Sequence, residues 1–137
     1  MLIQILWIAG SLPFIVLGTI HLLYTFFTNK FSPRNELIEE EMKNISPVLT
    51  RKTTMWSAWI GFNASHSSGV IYIGVINFLV AIFCSHLLFD PLFILLNLAT
   101  VLFYLWLAKK YWFSIPFTGV LIAACCFITA TVLICLK

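Results

Sequence analysis

The stretch TMWSAWIGFNASHSSGVIYIGVINFLVAIFC, residues 54–84, contains no Asp, Glu, Lys or Arg, yet Asn63 and His66 stand in its first half. At about 1.5 Å per residue, a helix of about 20 apolar residues crosses the hydrocarbon core of a bilayer, which is about 30 Å thick. The stretch therefore predicts a membrane-spanning helix that carries polar side chains within the apolar layer.

Three further segments are also long and apolar away from their ends. The chain as a whole is 61% hydrophobic and 9% charged. The four predicted spans are residues 2–27, 54–84, 88–108 and 113–136. Backbone groups in lipid must be hydrogen-bonded within the protein, and the alternating segments of a closed barrel are not visible. We therefore predict an all-α polytopic membrane protein, with residues 1–137 forming one domain built as a four-transmembrane-helix bundle.

The basic residues predict the orientation of these spans. Except for Lys137, every Lys and Arg lies in the first loop, residues 28–53, or in the third loop, at Lys109 and Lys110. Cytoplasmic loops carry an excess of Lys and Arg, so we expect both loops in the cytoplasm and both termini outside. The net charge of +3 requires no nucleic-acid partner, because anionic lipid headgroups beside the basic loops can balance it.

The first loop also predicts a short amphipathic helix between the first two spans. Ser32 suits the N-cap, Pro33 suits the first helical position, and Pro47 ends the helix. An apolar stripe through Ile38 and Met42 indicates a connector lying on the cytoplasmic membrane surface. The alternatives are a docking site for a partner and a lid over a pocket.

The second span has two distinct faces when its residues are placed on a helix at about 100° per residue. One face is polar and aromatic and consists of Trp56, Trp59, Asn63, His66, Val70 and Asn77. The opposite face carries mostly small residues: Ala58, Gly61, Ser65, Ser68 and Tyr72. Small residues let membrane helices approach closely, so we expect the second face to pack against another helix. The polar face requires partners of its own, because an unpaired polar group in hydrocarbon costs several kcal/mol.

The other spans supply such partners. His21 and Asn63 lie at similar predicted depths, about 10 Å inside the cytoplasmic edge. The third span presents polar residues on one face, and the fourth offers Thr118, Cys125 and Thr129. We predict a polar seam inside the bundle that forms a ligand pocket; a structural hydrogen-bond network is the alternative. The predicted ligand-binding residues are His21, Tyr24, Trp56, Trp59, Asn63, His66, Asn97, Thr100 and Tyr104.

The spans lack the residues that several kinds of function require. Away from their ends they hold no Asp or Glu, which argues against proton pumping, cation transport and carboxylate-ligated metals. No nucleophile with its base is visible, so no catalytic residue is predicted. A haem b held by His21 and His66 would require matched axial depths, and we predict neither a metal nor a cofactor. Cys84 and Cys135 could pair at the outer ends of their helices if the outside is oxidising.

These features predict a binding protein for a lipid, a quinone or a sterol-like molecule. The alternatives are an accessory subunit of a larger membrane complex, a homo-oligomer, and a membrane enzyme that acts on such a lipid. A neutral imidazole both donates and accepts, which suits a hydroxyl or carbonyl head better than a cation. We expect the head near His21 and Asn63 and the apolar tail toward Val70 and Gly74.

Three strings, GTIHLLYTFF, RKTTMWSAWIGFNASHSSG and AKKYWFSIPF, together resemble an uncharacterised family of small bacterial four-span membrane proteins. The resemblance covers nearly the whole chain and implies a bacterial inner-membrane setting.

The string GTIHLLYTF also resembles the first-helix pattern of emopamil-binding and sigma-2 receptor type membrane bundles, with His21 in place of their pocket histidine. Those bundles bind sterols or cationic amphiphiles, and some are isomerases. Their pattern has a carboxylate about one turn further on, where this chain has Tyr24 and Thr25. The resemblance therefore implies a bundle and a lipid-like ligand but not the reaction. Quinol-oxidase accessory subunits share only the four-helix architecture.

Overall fold

The computed structural model describes residues 1–136, which form five α-helices and no strand. The helices are α1 (Leu2–Phe27), α2 (Glu36–Asn44), α3 (Met55–Phe83), α4 (Pro91–Tyr111) and α5 (Ser114–Cys135). A short 3-10 helix, Ser85–Phe89, joins α3 to α4. Helices α1, α3, α4 and α5 are long and apolar enough to cross a membrane. The predicted all-α fold with four spans is confirmed. Lys137, expected on the outer side, lies outside the described residues.

Helix α2 begins later than predicted. Its N-cap is Asn35, whose side chain accepts a hydrogen bond from the backbone N–H of Leu37, so the assignment of Ser32 and Pro33 to the helix start was wrong. An asparagine can cap a first turn as well as a serine can, and Glu36 then lies in that turn, where the helix dipole favours an acid. The helix ends at Asn44, three residues before Pro47.

The third span also starts later, at Pro91 rather than residue 88. The side chain of Asp90 accepts from the backbone N–H of Phe93 and caps α4, and Pro91 occupies the first turn, where its missing N–H costs nothing. The apolar residues Leu87, Leu88 and Phe89, which extended the hydropathy pattern, belong instead to the 3-10 helix. Hydropathy locates an apolar segment, but a cap sets where its helix begins.

Two compact units make up the chain: Gly18–Gly69, and Met1–Leu17 together with the residues from Val70 onward. In the second of these, the four long helices meet around Trp7, which is completely buried. Its ring stacks on Phe93 of α4 at 5.9 Å between centroids and meets the edge of Phe127 of α5 at 5.1 Å. Its indole Nε1–H donates to Asn77 Oδ1 of α3 over 2.8 Å. One residue of α1 thus contacts the other three long helices of this unit.

Close helix packing in the same unit depends on Gly74. A Cβ placed there would lie 2.9 Å from the backbone nitrogen of Ile15, so α1 and α3 approach through this glycine. The end of α3 is tied to α1 by Gln4, whose Nε2 donates to the carbonyl of Ala81 over 2.7 Å. Membrane helices associate by such close backbone approach and by interhelical hydrogen bonds.

Candidate functional site

A hydrogen bond joins His21 of α1 to Asn63 of α3 in the unit Gly18–Gly69. His21 Nε2 lies 3.0 Å from Asn63 Oδ1, and both side chains are partly buried. The bond brings together two residues that the sequence placed at similar positions along their helices, and their depth in a membrane stays a prediction. It satisfies two polar groups within apolar spans, where water is not a ready partner.

A second hydrogen bond of Asn63 determines which of Asn63 and His21 is the donor and which the acceptor. Asn63 Nδ2 donates to the carbonyl of Trp59 one turn earlier in α3, at 2.8 Å, so the oxygen of the amide faces His21. An amide oxygen only accepts, and His21 Nε2 must therefore carry the proton. In the neutral ring the other nitrogen, Nδ1, is then a hydrogen-bond acceptor.

A second imidazole stands beside the first. The ring of His66 lies 5.5 Å from that of His21 between centroids, at 69°, and is partly buried. His66 follows Asn63 by three residues on α3, so the two lie on one face of the helix, as the sequence predicted. Ser67 is fully buried, and its hydroxyl donates to the carbonyl of Asn63 over 2.6 Å, so this polar group is satisfied within its own helix.

Phe31 belongs to this cluster, although the sequence analysis did not select it. Its ring lies 4.3 Å from that of His21 between centroids, at 31°. The indole Nε1–H of Trp59 donates to the backbone carbonyl of Phe31 over 3.1 Å and holds the first loop against α3. A lone large apolar residue within NKFSPRN was the only available signal, and the contact it makes depends on how the loop folds back.

The remaining aromatic residues predicted in this unit are Tyr24 and Trp56. Tyr24 is 40% exposed and lies 6.4 Å from Phe31 between ring centroids. Lys43 of α2 places its Nζ 5.3 Å from the ring of Trp56, a cation–π contact that connects α2 to the start of α3. We refer to His21, Phe31, Trp59, Asn63 and His66 as the histidine cluster.

Three predicted site residues lie on α4, in the other unit. Asn97 is 5% exposed, and its Nδ2 has no hydrogen-bond partner among the described residues. Thr100 donates to the carbonyl of Leu96, one turn back along its own helix. Tyr104 meets the edge of Phe14 at 5.8 Å between centroids. Their role as ligand-binding residues stays a prediction.

The structure corrects three other expectations. The space beside Gly74, assigned to a ligand tail, is filled by Ile15 and Phe14, and Val70 is buried. On the small face of α3, Gly61, Ser65, Ser68 and Tyr72 are exposed, so most of this face is not packed within the chain. On α5, the polar residues expected to line a seam are also exposed: Thr118, Cys125 and Thr129. Periodicity shows which residues share a face but not which neighbour covers it.

Residues 1–136 contain no group of three or more His, Cys, Asp or Glu side chains that could hold a metal ion. Cys84 and Cys135 are free thiols, as are the adjacent Cys125 and Cys126.

Four apolar spans, with a polar cluster inside two of them, define a helical integral membrane protein. No protein-family model, curated protein or solved structure matches this chain.

Proposed function

We propose that this protein binds a lipid-like molecule, such as a quinone, a sterol or another lipid with a hydroxyl or carbonyl head, at the histidine cluster. The observation that carries the proposal is the orientation of His21 by Asn63 beside a second imidazole, within two apolar spans. Ionisable residues within spans are rare and mark functional sites more often than other positions do.

The chemistry of the cluster supports a neutral polar head. His21 Nδ1 can accept from a hydroxyl, and an imidazole N–H can donate to a carbonyl. The ring of Phe31 adds an apolar contact surface over His21. The spans lack a carboxylate to pair with a cation, so a neutral head fits better than a quaternary ammonium.

Native mass spectrometry of gently extracted protein tests this proposal. We expect the wild type to retain a lipid-like molecule and His21→Ala to lose it. The matched control is Ser68→Ala, because the Ser68 hydroxyl is exposed and bonds only to its own helix in the described chain. Equal retention by the two variants would contradict binding at the cluster.

A photoreactive quinone probe tests the location. Labelled peptides should come from α1 and α3 within residues 18–69, and excess unlabelled quinone should suppress the labelling. Labelling confined to α4 and α5 would refute the proposed position.

We place the protein in a bacterial inner membrane with both termini outside and the first and third loops in the cytoplasm. The distribution of Lys and Arg supports this orientation. The resemblance of three sequence strings to small bacterial four-span proteins supports the location.

A second candidate function is that of a subunit in a larger membrane complex. The observation that favours it is the exposed small face of α3: a Cβ at Gly61 would meet no atom within 4 Å, and Ser65 and Ser68 are exposed. Small residues on an exposed face permit close approach by a helix of another chain. Ser65→Leu should then reduce co-purification of partner subunits while leaving thermal stability unchanged; unchanged co-purification would argue against this function.

A further inference from the structure

A groove with a volume of ≈ 380 Å³ runs between α1 and α5 in the unit that contains Trp7. Its walls are Pro13, Val16 and Leu17 of α1 and Ser114, Thr118 and Gly119 of α5. Gly119 lets α1 and α5 approach closely, because Leu17 Cδ1 occupies the space that a Cβ at Gly119 would take. The volume lies within the range of small-molecule sites, about 300–1,000 Å³.

A second depression, of ≈ 330 Å³, lies at the turn between α4 and α5. It is lined by Lys109, Trp112, Phe113 and Phe117, and it shares Ser114 with the groove. Ser114 therefore lies in the wall of both depressions, of which one is lined by Lys109 and the other by apolar residues of α1.

The turn lies at the level of the lipid headgroups, because α4 ends at Tyr111 and α5 begins at Ser114 and both helices span the membrane. Tryptophan and lysine are favoured at this level. Basic pockets between transmembrane helices bind anionic lipid headgroups.

The two lysines at this turn are not equivalent. The Nζ of Lys110 lies 5.3 Å from the ring of Trp106 and 5.1 Å from that of Tyr111, so its charge is held over two aromatic faces. Lys109 lines the depression instead.

We propose that these two depressions form one binding site for an anionic phospholipid, with its phosphate on Lys109 and an acyl chain along the groove beside Thr118. The site shares no residue with the histidine cluster, so either proposal can fail without the other.

Native mass spectrometry with added phosphatidylglycerol or phosphatidylcholine tests the headgroup end. One lysine at a membrane surface contributes about a fivefold preference for anionic lipid, so we expect the wild type to retain phosphatidylglycerol over phosphatidylcholine by about that factor. Lys109→Gln should abolish most of the preference, and the matched control Lys110→Gln should keep it. If both variants lost the preference for phosphatidylglycerol equally, the preference would come from general surface charge, and the proposed site would be overturned.

The groove end is tested by filling it. Thr118→Phe should lower retention of both lipids severalfold, because Thr118 is an exposed residue of the groove wall. Gly61→Leu, at a position with open space, should not lower it. Unchanged retention in the folded groove variant would overturn the proposal. Displacement of the lipid by inorganic phosphate would also overturn it, since the site would then recognise the anion alone.

Discussion

Two asparagines of α3 use their amides in the same way. Asn63 and Asn77 each donate through Nδ2 to the carbonyl four residues earlier, and each offers Oδ1 to a ring N–H of α1. At Asn77 that donor is Trp7, whose indole nitrogen can only donate, and the arrangement is fully structural because Trp7 is completely buried. At Asn63 the donor is His21, which is only partly buried and keeps a second ring nitrogen. That second nitrogen is the acceptor that the proposed ligand would use.

A double-mutant cycle on His21→Leu and Asn63→Leu measures this interaction. Each single change should lower the free energy of unfolding in detergent, because it leaves one polar partner in an apolar span. We expect a coupling energy of about 0.6 kcal/mol and at most about 1.7 kcal/mol, the range measured for hydrogen bonds between membrane helices. Additive losses would mean that the two side chains do not interact.

At the scale of elements, α3 contains glycines in opposite environments. Gly74 is packed against the backbone of α1, whereas Gly61 and Gly69 would leave an added Cβ without a neighbour within 4 Å. The sequence alone marks all three as small residues on a helix. Only Gly74 is required for packing.

Gly74→Ala should therefore destabilise the protein by about 1–3 kcal/mol, because the new methyl forces α1 and α3 apart. Gly69→Ala in the same helix should be neutral or stabilising by up to about 1 kcal/mol, since alanine is the better helix former. The free energy of unfolding in detergent, measured for both variants, checks the contrast. A loss for Gly69→Ala as large as that for Gly74→Ala would refute the packing role.

Helix α2 should respond to acid through one ion pair. Lys43 Nζ lies 2.6 Å from Glu39 Oε1, and this hydrogen bond, followed by one from Ser32, lowers the pKa of Glu39 below its ordinary value. A carboxylate with a lowered folded-state pKa stabilises its structure above the unfolded pKa and loses that contribution as pH falls through the folded pKa.

The protection factors of the α2 amides, which are corrected for the intrinsic pH dependence of exchange, should therefore be constant near neutral pH and should fall once the pH drops below the ordinary pKa of glutamate. An NMR titration of Glu39 should give a lowered pKa in the wild type and a value closer to normal in Lys43→Gln. The same pKa in both proteins would show that the pair does not form in solution.

At the scale of the whole molecule, the long helices carry many apolar side chains on exposed faces, including Leu92, Leu95, Phe103 and Ile115. A water-soluble protein of this size would have to cover such surface, whereas a bilayer solvates it. The exposed charges are concentrated outside the spans, and Arg51 and Lys52 directly precede α3. This separation of charge from apolar surface is what an integral membrane protein requires.

Cysteine accessibility in sealed cells tests that orientation. In a background with the four native cysteines replaced by alanine, Lys43→Cys should resist a membrane-impermeant reagent added outside, and Ser85→Cys should react. The two positions lie in the first and second loops, on opposite ends of α3. The reverse pattern would invert the topology.

The sequence by itself determined the four spans, because about 20 consecutive apolar residues have few other stable environments. It also determined the similar positions of His21 and Asn63 along their helices, since residue counts along a helix convert directly into distance. The start of α2 at Asn35 was not determined, because several residues in SPRN can cap a helix and local geometry selects one.

Only the tertiary structure decided which face of each helix is covered. The periodicity of α3 separated its small face from its polar face, but contact with α1 falls on Gly74 and Asn77, while Gly61 and Ser65 are exposed. The tertiary structure also places the ring of Phe31 against that of His21, a contact between a loop and a span that no local sequence pattern encodes. The long helices carry large apolar residues on both buried and exposed faces, so hydrophobicity alone cannot specify which face is buried. Close backbone approach and individual hydrogen bonds select it instead, and these depend on which helices are neighbours.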